Sequence, residues 1–196
     1  MARKMFCILL IVIVFLFVFK NSEANMAGKK AVMIIAAEGF RDEELLEPKA
    51  VMEKAGVRVD IASTITTKAK GMLGAVVTPD KLVSDINTAD YDAIIFVGGP
   101  GCRQYWYDSA AHSIIKESVA SGKITAGICS AGVTLANAGV LMGKKATVFP
   151  SDRQALIDMG ANYTGKSVEV DGNIVTADGP SSAKAFGEKI VEKLGK

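Results

Sequence analysis

The stretch Lys123-Ile-Thr-Ala-Gly-Ile-Cys129-Ser-Ala-Gly-Val133 decides the fold, because an apolar, β-prone run ends on a cysteine and passes directly into residues that open a helix. Small residues two before and two after the cysteine, Gly127 and Ala131, repeat the spacing of a nucleophile elbow, where bulk would clash as strand becomes helix. A helix starting there points free N–H groups and a positive dipole end at the sulfur, which favours thiolate and predicts a pKa below the free value of about 8.5. A buried, inert cysteine at the end of a parallel strand would read the same way. This segment alone leaves both readings open.

Two upstream segments bear on the choice. Tyr91-Asp-Ala-Ile-Ile-Phe-Val-Gly98-Gly99-Pro100-Gly101 is a second apolar run, and it stops on glycines. Ligands of α/β sheets bind beyond the carboxyl ends of the strands, so the two runs can converge on one site. Gly98 and Gly99 allow close backbone approach and offer N–H groups to a developing oxyanion, although a plain strand-to-loop turn has the same composition. Glu38-Gly-Phe-Arg-Asp-Glu-Glu44-Leu-Leu-Glu-Pro48 follows the first apolar run, Ala31 to Ala37, and opens a helix rich in acids. Acids in a first turn are ordinarily partners of the helix dipole.

The remaining pattern alternates strands and helices, which suits an α/β layer fold. Helix is expected from Glu43 to Ala55, strand at Val57 to Ala62 and Ala75 to Thr78, and a short helix at Leu82 to Ile86. Asp108 to Val119 reads as a helix carrying His112, the chain's single histidine, and Ser130 to Ala138 as another. A strand at Ala146 to Phe149 precedes a helix capped by Ser151 that runs through Met159. Asp171-Gly172 marks a hairpin turn between Val168 and Thr176. Phe186, Ile190, Val191 and Leu194 form the apolar stripe of a closing helix, Ala183 to Leu194.

The amino terminus is different in kind. Arg3 and Lys4 precede the apolar run Met5 to Phe19, and Ser22 and Ala24 stand where a signal peptidase reads small residues. Residues 1–24 therefore read as a cleavable signal peptide and 28–196 as one domain. An uncleaved anchor, which would be the only membrane contact, and a cytoplasmic start at Met26 remain the alternatives. Removing residues 1–24 takes Arg3, Lys4, Lys20 and Glu23 and leaves basic and acidic residues balanced, with no basic stripe for nucleic acid. Cys7 goes with the leader, leaving Cys102 and Cys129. In an exported chain such a pair suggests a disulfide. Cys102, just after the glycine turn, is alternatively a resolving thiol or a loop residue. No spacing supports a metal site.

In order along the chain, Glu44 four residues before Pro48, Gly98-Gly99, Ile128-Cys129-Ser130-Ala131-Gly132 and the segments Ala138 to Thr147, Val170 to Thr176 and Ala177 to Ser181 together resemble the DJ-1/PfpI (ThiJ/PfpI-like) superfamily. The resemblance implies a flavodoxin-like three-layer sandwich of class I glutamine amidotransferase type, with helices on both faces of a mostly parallel sheet. It implies a nucleophilic Cys129 with a protonated Glu44 beside it, and oxyanion donors from Gly98, Gly99 and Ser130. It further implies glyoxalase- or deglycase-like chemistry on a small carbonyl substrate with no metal or nucleotide cofactor, in a homodimer or higher homo-oligomer.

Departures from the family pattern matter. The peptidase-like branch places histidine after the nucleophile, where this chain has Ser130; the DJ-1 branch places one before a later proline, where it has Phe149 before Pro150. A cysteine peptidase or amidase, which needs an acid to protonate a leaving amine, is thereby weakened as a reading. A non-enzymatic redox-stress sensor or chaperone needs only the thiol and a dimer surface.

Overall fold

The computed structural model describes residues 26–196, so the expected leader and Cys7 lie outside the described residues. The strands are β1 (Lys30–Ile34), β2 (Glu38–Phe40), β3 (Arg58–Ser63), β4 (Ala69–Gly71), β5 (Val76–Val77), β6 (Lys81–Leu82), β7 (Ala93–Phe96), β8 (Ile124–Ile128), β9 (Lys145–Ala146), β10 (Asn162–Tyr163), β11 (Val168–Asp171) and β12 (Ile174–Ala177). The α-helices are α1 (Asp42–Lys54), α2 (Ser109–Ala120), α3 (Gly132–Asn137), α4 (Arg153–Asp158) and α5 (Ala183–Leu194). Seven strands form the main sheet in the order β11-β12-β8-β7-β1-β3-β6, parallel throughout except for β11, which pairs antiparallel with β12 across the Asp171-Gly172 turn.

Strand side chains alternate between faces, and the central runs are almost wholly apolar because both faces are covered; the buried Thr125 of β8 is satisfied by the Ser118 hydroxyl at 2.7 Å. Met33, Ile35 and Ile95 point into a core closed by Leu45 and Met52 of α1 and by Phe186, Ile190 and Leu194 of α5. Val32, Ile34, Ile94 and Phe96 point the other way, against Ile115 of α2, Leu135 of α3 and Leu156 of α4. The result is the three-layer α/β sandwich of flavodoxin type. Parallel pairing brings the carboxyl ends of β1, β7 and β8 to one edge, and there the site forms.

Local elements differ from expectation where short pieces depend on distant partners. The strand expected at Ala75 to Thr78 contracts to β5 and joins β2 and β4 in a separate three-stranded sheet. That sheet is tied to α1 by Asp42, whose carboxylate accepts from the Leu73 and Ala75 N–H groups at 2.9 and 2.6 Å. Ser151 does not cap α4. It sits in a 3-10 turn, Pro150–Asp152, and its hydroxyl donates to Asp152. The strand expected at Ala146 to Phe149 is the two-residue β9, paired only with β10. Among the described residues no helix is long and apolar enough to cross a membrane.

Candidate active site

At the end of β8 the chain turns sharply. Cys129 has φ 58°, the only positive φ of a non-glycine residue among those described. An L-residue in this conformation costs about 1 kcal/mol, so the surroundings must hold it there. The helix does not start at once as an α-helix: Cys129–Ala131 form a 3-10 turn that leads into α3. The N–H groups of Ser130 and Gly99 hydrogen-bond to the sulfur, which is nearly buried at 7% exposure.

Glu44, in the first turn of α1, is fully buried. Its Oε2 accepts from the Gly98 N–H at 3.1 Å, and Oε1 has no hydrogen-bond partner of standard geometry among the described residues. Gly98 itself is wedged between the acid and the nucleophile. A Cβ there would lie 2.4 Å from Glu44 Oε2 and 2.6 Å from the Cys129 Cβ, so no other residue fits without displacing one of them. The Gly98 carbonyl accepts from the Arg41 N–H at 3.0 Å, which fixes the start of α1 against the end of β7. Gly99 follows at φ 97°, a conformation glycine adopts without strain.

These contacts correct two expectations. Gly98 is not a free oxyanion donor, because its N–H is committed to Glu44; the donors directed at the reacting sulfur are Gly99 and Ser130. Nor does the helix start alone acidify the thiol. Burial first, and then the neighbouring Glu44 charge, push Cys129 up to about 12 against the pull of the two N–H groups. Burial likewise raises Glu44 to about 7, opposed by its hydrogen bonds with Cys129 and Gly98. Two buried acids in contact titrate as a pair, and the first proton leaves this pair near neutral pH.

Above the thiol lies a pocket of about 290 Å³, walled by Met72, Pro100, Phe149 and Pro180 and by the guanidinium-bearing Arg41 and Arg103. Ser130 also lines it, and its hydroxyl donates to Asp152 Oδ2 at 2.6 Å. The Trp106 Nε1–H donates to the Ser130 carbonyl at 2.9 Å. His112 is absent from the pocket; its Nε2 is hydrogen-bonded to the Trp106 carbonyl at 2.9 Å. Cys102 and Cys129 are both free thiols, not a disulfide. Cys102 packs among Phe96 and Tyr105 in the core on the α2 side, while Cys129 belongs to the α1 side, and burial raises the Cys102 thiol far above its ordinary value. A resolving role would need that thiolate, so the geometry gives it no support. Arg41, Met72 and Arg103 escaped the sequence reading, since none belongs to a periodic pattern or motif. Among the described residues no group of three or more His, Cys, Asp or Glu side chains could hold a metal ion.

A strained strand–cysteine–helix turn at the carboxyl edge of a parallel sheet, with a buried acid beside the thiol, defines an α/β protein of the nucleophile-elbow class. The chain belongs to the DJ-1/PfpI family, whose model matches residues 29–193. It is 42% identical over 175 residues to an uncharacterized protein of Methanocaldococcus jannaschii, covering 88% of this chain and 85% of that one. It is 29% identical over 168 residues to a glutathione-independent glyoxalase of Caenorhabditis elegans, covering 86% of this chain and 90% of the relative. Among solved structures, a ThiJ/PfpI domain protein from Brachyspira murdochii superposes with a TM-score of 0.84 at 35% identity, over 86% of this chain and 97% of that one.

Proposed function

We propose that the chain is a cofactor-independent, cysteine-dependent enzyme acting on reactive dicarbonyls of the methylglyoxal type, with a glyoxalase- or deglycase-like outcome. The observation that carries this reading is the buried Glu44–Cys129 pair, packed across Gly98, in which burial raises the Glu44 carboxyl well above its ordinary range. Such a pair holds a nucleophile and its proton acceptor together at the floor of one pocket.

In the proposed reaction Sγ adds to the aldehyde carbon as the thiol proton passes to Glu44. The carbonyl π electrons move to oxygen, which the Gly99 and Ser130 N–H groups receive and to which Glu44 passes the thiol proton, leaving its carboxylate free. Glu44 then takes the C–H proton of that carbon and delivers it to the adjacent carbonyl carbon, while the hydroxyl proton of the first carbon passes to the oxygen of the second. The first carbon is thereby oxidised to a thioester and the second reduced to an alcohol, with no outside oxidant or reductant. Water breaks the C–S bond, releasing a 2-hydroxy acid and restoring the thiol. Peptide cleavage would need an acid for the leaving amine, whereas the one histidine is engaged with Trp106; aldehyde addition expels nothing.

A second copy of the chain is proposed as the partner. Exposed Leu46 lies one turn along α1 from Asp42, which holds the β4–β5 segment bearing exposed Met72, Leu73 and Val76. Such an apolar surface beside the pocket supports self-association. The reaction is tested with a panel of dicarbonyl, ester and peptide substrates on the chain and on Cys129→Ala. Cys129-dependent loss of the dicarbonyl is expected, and Cys129-dependent peptide cleavage without dicarbonyl turnover would overturn the reading.

A further inference from the structure

The pocket exceeds what a three-carbon dicarbonyl fills, and its two cations are unequally satisfied. Arg41 grips Glu43 with two nitrogens, at 2.8 and 3.0 Å, so its charge is neutralised at short range. Arg103, exposed at the rim, makes no ion pair among the described residues. Its guanidinium lies 5.0 Å from the centre of the Trp106 ring. Trp106 is itself fixed, through Nε1 to the Ser130 carbonyl and through its own carbonyl to Asn137 at 2.8 Å and His112 at 2.9 Å. The free cation therefore rests on a platform tethered to the residue that follows the nucleophile. Two other carboxyl groups face this region. Glu44 forms the pocket floor and holds its proton up to about pH 7, and Asp152 sits behind Ser130, engaged by its hydroxyl.

A guanidinium presents a planar fork that matches the oxygens of a carboxylate or phosphate. We propose that Arg103 is a specificity-determining residue and that the site takes an anionic carbonyl compound, an α-oxoaldehyde whose carboxylate or phosphate, beyond the reacting carbons, pairs with Arg103. The carbonyl end of this substrate rests on the dicarbonyl reading above; the oxyanion subsite does not.

The test separates the two. Iodoacetate and iodoacetamide both alkylate thiols, the thiolate displacing iodide, but only iodoacetate is an anion; each is applied to Cys129 and the rates compared. The ratio of their rates cancels any change in the thiol itself and reads the subsite alone. In Arg103→Ala the iodoacetate/iodoacetamide ratio should fall about tenfold, and Arg103→Lys should retain part of it, because Lys keeps the charge and loses the fork. Protection of Cys129 by inorganic phosphate compared with acetate shows which oxyanion the subsite prefers. An unchanged ratio in Arg103→Ala overturns the subsite even if dicarbonyls are turned over. A fallen ratio with no turnover of neutral or anionic dicarbonyls keeps the subsite and overturns the reaction.

Discussion

Replacing Glu44 with glutamine removes one proton from the account and little else. The side chain keeps its shape and an oxygen to accept from Gly98, but it cannot ionise. In the folded chain burial raises the Glu44 carboxyl from 4.5 to about 7. A raised acid favours the folded state in its protonated form. The stability it contributes is fully present below pH about 4.5 and is lost as pH rises through about 7. At 1.36 kcal/mol per unit, the interval amounts to about 3 kcal/mol, a large fraction of a domain's stability. Urea unfolding of wild type and Glu44→Gln, measured from pH 4.5 to 8, gives the difference directly: groups not coupled to Glu44 cancel, and the Cys129 thiol, pushed up to about 12, keeps its proton across this range in the folded chain. Wild-type stability minus that of the variant should decline by about 3 kcal/mol across that range. A difference that stays flat would show that the carboxyl titrates as it does in the unfolded chain, and the shared-proton account would fail.

Cys129→Gly should be more stable than Cys129→Ala by about 1 kcal/mol, because only glycine adopts φ 58° without strain; thermal unfolding in which alanine is the more stable would contradict the strained elbow. Gly98→Ala should lose about 1–3 kcal/mol of stability and slow Cys129 alkylation, since the added carbon meets both Glu44 and Cys129; unchanged melting and alkylation would refute that close approach. The leader reading is a proposal about residues 1–24: protein taken from its own cells should begin at Asn25 and be found outside the cytoplasm. A cytosolic chain beginning at Met26 or Ala27 would contradict it.

What could be read in advance divides by the range of the interactions. β1, β7 and β8 are continuous apolar runs bounded by polar or glycine residues, and burial on both faces makes such runs conspicuous. The Asp171-Gly172 turn and the stripe of α5 are equally local signals. The sheet of β2, β4 and β5 was not legible as a unit, because its strands are two or three residues long and Asp42 organises it from a distance in sequence. At the site, the proximity of Glu44 came from family resemblance, and the residues alone read it as a partner of the helix dipole. The commitment of the Gly98 N–H to Glu44 and the raised thiol pKa depend on what is buried against what, which spacing does not encode. Arg103 carried no pattern at all; its place over Trp106 is set by the 3-10 turn Pro100–Tyr105, invisible until the chain is folded.

The central claim is that Cys129 carries out dicarbonyl chemistry unaided by metal or cofactor. It is tested most directly by following conversion of methylglyoxal to the 2-hydroxy acid with the full chain and with Cys129→Ala, in the presence of a chelator and without added thiol. The account predicts product formation by the full chain, rising as pH passes through about 7 with loss of the first proton from the Glu44–Cys129 pair, and none above background with Cys129→Ala. Equal product from both chains, or none from either, would contradict it.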